Sequence, residues 1–200
     1  MTVALIEDDE AVLHSLRLLL EGRGMAVQCF DSAEGFLKAR ADCTSTCIVS
    51  DVRMAGMTGL DLQRELKARS CSVPVILITG HGDIAMAVSA MREGAFDFIE
   101  KPYDAEQLIA SIEKALAVDH KLRSSQSQKA ELIARMAELS PRQREVMQLV
   151  ADGLSNKQIA QRLGISSRTV ENYRAWVMER MGAANVAELV RKVMLAQSES

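Results

Sequence analysis

The sequence predicts an α/β fold, a doubly wound five-stranded parallel sheet, followed by a smaller all-α domain of four helices. Three observations carry this. Through residue ~118, short apolar runs alternate with helical patterns five times in succession, which is how a parallel sheet covered on both faces reads. From Ser140 onward the period is purely helical. The charge balance also changes: residues 1–118 carry 11 Lys/Arg against 18 Asp/Glu, a net −7, while residues 139–200 carry 9 against 6, a net +3.

In order, "VALI" (3–6) reads as a strand and "EAVLHSLRLLLEG" as a helix stopped by Gly22 and Gly24. "MAVQCF" (25–30) is a second strand, and a helix over "SAEGFLKAR" follows with Ser32 as its cap. "CIVSD" is the third strand, then a helix over "TGLDLQRELKARS". "VPVILIT" (73–79) and "AFDFIE" are the fourth and fifth strands. Their helices are "DIAMAVSAMREG" and "DAEQLIASIEKALAV". Residues 119–138 have no strand pattern and read as a connecting segment, part flexible and part helical, with "SSQSQ" its most exposed point. Domain boundaries are thus expected at 1–118, 119–138 and 139–200.

The second half opens on "SPRQREVMQLVADG", with Ser140 as cap, Pro141 at the first helical position and Gly153 as terminator. "SNKQIAQRLG" is a short helix between Ser155 and Gly164; "SSRTVENYRAWVMERMG" and "NVAELVRKVMLAQ" follow. Two short helices joined at Gly164, with small Ala160 where they cross, form a helix-turn-helix signature.

Composition sets limits. Hydrophobic content of 48% and charged content of 26% describe a soluble globular chain, with 4% aromatics leaving the core to Leu, Ile, Val, Ala and Met. No apolar stretch approaches the ~20 residues of a membrane span, and "MTVALIEDDE" is not a signal peptide. A cytoplasmic location without membrane association is expected. There, Cys29, Cys43, Cys47 and Cys71 are expected as free thiols, with a Cys43–Cys47 redox pair the less favoured alternative.

Sheets of this kind place their sites outside the carboxyl ends of the strands. Four such ends carry useful groups: Glu7, Asp8 and Asp9 after the first strand, Asp51 on the third, Thr79 on the fourth and Lys101 after the fifth. Singly, each has an ordinary structural role in a cap or a strand exit. Together, crowded carboxylates call for a cation, and oxygen ligands of this kind suit Mg²⁺. A carboxylate can act as nucleophile toward phosphorus. Lys101 and Thr79 are placed to hold phosphoryl oxygens.

The segments "LIEDDEAV", "IVSDVRMAGMTG", "ILITGHGD" and "DFIEKPYD" resemble, in order and spacing, the flavodoxin-like receiver domains of two-component response regulators. The resemblance implies Asp51 as phosphoryl acceptor from a sensor histidine kinase, and Glu7, Asp8, Asp51 and the backbone carbonyl of Arg53 as Mg²⁺ ligands. It implies Thr79 and Lys101 as the phosphate-sensing pair and Phe98 as an aromatic switch. It also makes the 83–117 face a homodimer interface, to which Met86, Ala90, Leu108 and Ala115 are assigned. The chain is then no enzyme on a separate substrate and catalyses only phosphoryl transfer to and from itself. Two departures stand out: Ala55 where the family commonly has Pro, and Glu7 where it often has Asp.

"LSPRQREVMQLVADGLSNKQIAQRLGISSRTVENYRAWVMERMG" resembles the LuxR-type helix-turn-helix of the FixJ and NarL group. Ser166 to Met181 then form the recognition helix in a major groove of near-palindromic promoter DNA, with RNA polymerase a further partner. At 100° per residue, Val170, Tyr173, Val177 and Met181 face inward. Arg168, Glu171, Asn172, Ala175 and Glu179 face out. Asn172 suits an adenine edge and Glu171 a cytosine amine, while Lys157, Arg168 and Arg174 suit phosphates. Trp176 is expected to pack at a helix flank, with base or sugar contact the less favoured alternative.

Two rivals are weaker. An aspartate-nucleophile phosphatase commonly has a second Asp two residues beyond the first, where this chain has Arg53. A constitutive DNA-binding protein would make no use of Asp51.

Overall fold

A computed structural model of the chain describes residues 2–39, 45–80 and 84–198, with backbone alone at 84 and 85. Alternating strands and helices build the first part: β1 (Thr2–Ile6), α1 (Glu10–Glu21), β2 (Ala26–Phe30), α2 (Ala33–Ala39), β3 (Cys47–Asp51), α3 (Gly59–Ala68), β4 (Val75–Thr79), α4 (Ile84–Glu93), β5 (Asp97–Glu100) and α5 (Ala105–Ala137). The five strands pair in the order β2-β1-β3-β4-β5, all parallel. From β1 the chain first winds outward to β2, then crosses to the far side of β1 to lay down β3. The strand order therefore reverses between β1 and β3, and a crevice opens at their carboxyl ends.

Side-chain alternation along the strands supplies two separate cores. Ala4, Ile6, Ile48 and Leu77 pack on one face against Phe36, Leu62 and other residues of α2, α3 and α4. Val3, Leu5, Val49 and Ile76 pack on the other against Leu16 and Leu20 of α1 and Leu108 and Ile112 of α5. Both faces being covered, β3 and β4 are buried at every residue, which is why "CIVSD" and "VILIT" read as unbroken apolar runs. Edge strand β2 is half exposed.

The expected dimer-face residues are mostly elsewhere. Leu108, Ala115 and Ala90 are fully buried inside the receiver half itself, and Met86 packs against one of its cores. The α5 positions lie on the stripe that faces the sheet, so they have no surface to offer. Among the described side chains of α4, the large apolar ones that are exposed are Val88 (44%) and Met91 (48%).

Where a part-flexible connection was expected at 119–138, α5 runs unbroken to Ala137. Its Ala, Gln, Lys, Glu and Leu residues are good helix formers and outvote the three serines of "SSQSQ". Two compact units are delimited, Met1–Leu122 and Arg123–Ser200. Among the described residues no helix is long and apolar enough to cross a membrane.

The second unit contains α6 (Pro141–Ala151), α7 (Asn156–Leu163), α8 (Ser167–Met181) and α9 (Val186–Gln197). Ser140 with Gln143, and Ser155 with Gln158, form reciprocal capping boxes that start α6 and α7. Gly164 ends α7 at φ 64°, a left-handed turn that lets α8 begin three residues later. Val146, Val150, Ile159, Ala160, Val170 and Val177 close the core between these helices.

Cys29 and Cys47 are free thiols. A Cys43–Cys47 pair is therefore absent, Cys43 lying outside the described residues. Cys71 is disulfide-bonded, contrary to the expectation of a free thiol.

Candidate functional site

Four strand ends meet at the reversal point. β1 delivers Glu7, β3 delivers Asp51, β4 ends in Thr79, and Lys101 follows β5. Glu7 and Asp51 are 4% and 7% exposed, and Thr79 is fully buried. The Lys101 ammonium donates to Glu7 Oε2 at 2.9 Å and to Asp51 Oδ1 at 2.8 Å, bridging the two acids. Asp51 Oδ2 accepts from Arg53 N–H at 2.9 Å. Lys101 N–H donates to the Thr79 carbonyl at 2.6 Å, fixing the lysine's backbone to the end of β4.

Asp8 is exposed and turns to the loop beyond Asp51, where its Oδ2 accepts from Ala55 N–H at 2.9 Å. Asp9 caps α1, accepting from Ala11 and Val12 N–H, so the acidic run divides into pocket and cap. Phe98 is half-buried against a core cluster on β5.

Sequence reasoning passed over several contributors. Glu34 on α2 accepts from Met57 N–H at 2.8 Å, a second clamp on the loop after Asp51. Gly59 starts α3, and a Cβ there would lie 2.4 Å from the Asp51 carbonyl. The glycine is legible in the sequence; its reason for being there is not. Tyr103 feels the charges of Lys101, Glu7 and Asp51, and its burial pushes the phenol up.

Burial raises the Glu7 pKa; the Lys101 hydrogen bond opposes this and the Asp51 charge adds to it, for a net increase. Burial works against the charge on Lys101, but the hydrogen bonds of Asp51 and Glu7 outweigh it and raise the pKa. Three carboxylates with one ammonium leave the cluster with excess negative charge. All its donors are oxygens. This set fits a hard divalent cation in chemistry. In arrangement it is not assembled: among the described residues no group of three or more His, Cys, Asp or Glu is placed to hold a metal ion.

In the second unit, Val170, Val177 and Met181 of α8 are fully buried and Tyr173 partly so, while Arg168, Glu171, Asn172, Ala175 and Glu179 form an exposed face. Lys157 on α7 is exposed. Arg174 is partly buried, and its guanidinium donates to Asn156 Oδ1 at 2.7 Å, tying α8 to the start of α7. Trp176 is 54% exposed, so it does not pack at the helix flank as expected. Its position on the helix, four residues beyond Asn172, keeps it on the outward side.

Comparison with known proteins places both halves. Residues 3–113 match the response regulator receiver domain, and residues 137–193 match the bacterial regulatory proteins of the luxR family. The chain is 47% identical over 196 residues to the transcriptional regulatory protein FixJ of Azorhizobium caulinodans, covering 98% of this chain and 93% of that protein. It is 42% identical over 189 residues to nodulation protein W of Bradyrhizobium diazoefficiens, covering 94% and 83%. Among solved structures, the response regulator StyR superposes with a TM-score of 0.87 at 39% identity, covering 96% of this chain and 97% of that one.

Proposed function

The chain belongs to the two-component response regulators that join a receiver domain to a LuxR-type DNA-binding domain, and from that premise we propose that Asp51 is its phosphoryl acceptor. The observation that carries this is the Lys101 bridge between buried Asp51 and Glu7 at the point where the strand order reverses.

A carboxylate oxygen of Asp51 attacks the phosphorus of a phosphohistidine on a sensor kinase. The P–N bond breaks, the imidazole leaves with its electron pair and takes up a proton, and an aspartyl-phosphate forms. Glu7, Asp8, Asp51 and the Arg53 carbonyl would hold Mg²⁺, which when bound would neutralise charge between the acids and the incoming phosphoryl group. Lys101, already at Asp51, moves its ammonium to a phosphoryl oxygen, and the Thr79 hydroxyl donates to another. Phe98 follows inward. The chain turns over no separate substrate; hydrolysis of the acyl phosphate resets it.

The added charge changes the face built from 83–117, the chain dimerises, and two copies of α8 engage a near-palindromic promoter site where RNA polymerase is contacted. Asn172 and Glu171 on the exposed face read base edges, and Arg168 and Lys157 hold phosphates. Arg174 contributes by fixing α7 to α8.

Intact mass after incubation with a small phosphodonor and Mg²⁺ tests the acceptor: the wild type gains one phosphoryl group and Asp51→Ala gains none. A phosphorylated Asp51→Ala chain overturns the assignment. Sedimentation and DNA affinity with and without a phosphate mimic test the coupling; unchanged mass and affinity overturn it.

A further inference from the structure

The loop after Asp51 is tied at two backbone amides by acids from two other parts of the chain. Ala55 N–H donates to Asp8 Oδ2 and Met57 N–H donates to Glu34 Oε1. Between them Gly56 turns at φ 82°, with the Glu34 carboxylate 2.7 Å from where a Cβ would lie. Of the three acids read as cation ligands, Glu7 and Asp51 are engaged by Lys101, and Asp8 by the loop instead.

This last bond depends on residue 55 having a backbone N–H, which alanine has and proline lacks. We propose that the Ala55 amide is a positioning group for Asp8: it holds the carboxylate on the loop, and a divalent cation must draw Asp8 away from Ala55 to complete its ligand set. Cation binding and release of the loop after Asp51 are then one event. The bond is charge-assisted, so losing it on binding subtracts measurably from cation affinity. This proposal rests on the reading of Glu7, Asp8 and Asp51 as cation ligands.

The test uses the full chain and Mg²⁺ alone, with binding followed by calorimetry and amide exchange at Ala55 followed by NMR. Ala55→Pro removes the donor and is expected to bind Mg²⁺ about three- to tenfold tighter than wild type. Glu34→Ala frees the same loop at Met57 without freeing Asp8, and its affinity should stay within about twofold of wild type. In the wild type the Ala55 amide is protected without Mg²⁺ and exchanges faster at saturation, a readout that needs no variant to fold. Equal or weaker binding by Ala55→Pro overturns the proposal. So does equal tightening by Glu34→Ala, or protection at Ala55 that Mg²⁺ leaves unchanged. A wild-type chain that takes up no Mg²⁺ overturns the ligand assignment itself and this inference with it, an outcome distinct from the other three.

Discussion

Lys101 and Glu7 stand 94 residues apart in the chain and meet at 2.9 Å, with Asp51 on the other side of the same ammonium. One partly exposed cation thus holds two buried anions. Lys101→Met leaves Glu7 and Asp51 facing each other, and the receiver half should lose about 2 kcal/mol against chemical denaturation, discounted for the lysine's partial exposure. In the variant, Glu7, whose pKa burial already raises, holds a proton more tightly folded than unfolded. Its stability therefore recovers as the pH is lowered through the raised Glu7 value toward the ordinary carboxylate range. The wild type changes in the same direction, at the alkaline end. The raised Lys101 pKa makes its contribution complete below the ordinary lysine value, and it is lost as the pH climbs through the folded value. Equal stability of variant and wild type at neutral pH would refute the bridge.

Gly59 sets the spacing between β3 and α3. The nearest atom to a Cβ placed there is the Asp51 carbonyl at 2.4 Å, with Ser50 Oγ and Leu77 Cδ2 at 3.1 Å. Backbone cannot yield as a flexible side chain would. Gly59→Ala should cost about 1–3 kcal/mol by displacing α3 or the tip of β3. If the tip moves, phosphorylation by a small donor slows as well. A fully stable Gly59→Ala chain would show that the helix shifts freely.

Much of this was legible in the sequence because the period of apolar residues is a direct record of burial. Strands β3 and β4 announced themselves as continuous apolar runs, and the α8 stripe of Val170, Val177 and Met181 fell where 100° per residue puts it. The acidic and basic groups at strand ends were also visible, since topology alone brings strand ends together. Hidden were relationships that depend on backbone amides. Nothing in "RMAGM" says that Ala55 N–H finds Asp8 or that Met57 N–H finds Glu34, because any non-proline residue offers the same donor. The surface assigned to Leu108 and Ala115 failed for a related reason: apolar character marks burial without saying whether the cover is the same chain or a second copy.

The cysteines give a prediction independent of phosphorylation. Burial, with Asp119 adding to it, pushes the Cys47 thiol up to about 12. At neutral pH almost none of it is thiolate, the form that attacks an alkylating agent. Cys29 is exposed, though partial burial raises its pKa too. Native alkylation followed by peptide mapping should modify Cys29 and spare Cys47 until denaturant is added. Rapid native modification of Cys47 would show that β3 opens readily.

Trp176 is the chain's one tryptophan, and it lies on α8 between Asn172 and Arg180, one helical turn from each. At 54% exposure its indole contributes little to the core beneath Val177. Trp176→Ala should therefore change the stability of the second unit by less than about 0.5 kcal/mol, whereas truncating a packed tryptophan costs several times as much. The same exposure makes the residue a reporter. In the free protein its fluorescence should be readily quenched by acrylamide. Binding of promoter DNA along the exposed face of α8 should shield it and shift its emission, because Asn172 cannot reach a base edge without bringing the next turn of helix close to the duplex. Quenching unchanged by DNA that demonstrably binds would mean that α8 engages through its first turn alone. A loss of 2 kcal/mol or more in Trp176→Ala would return the side chain to the packing role its size suggests.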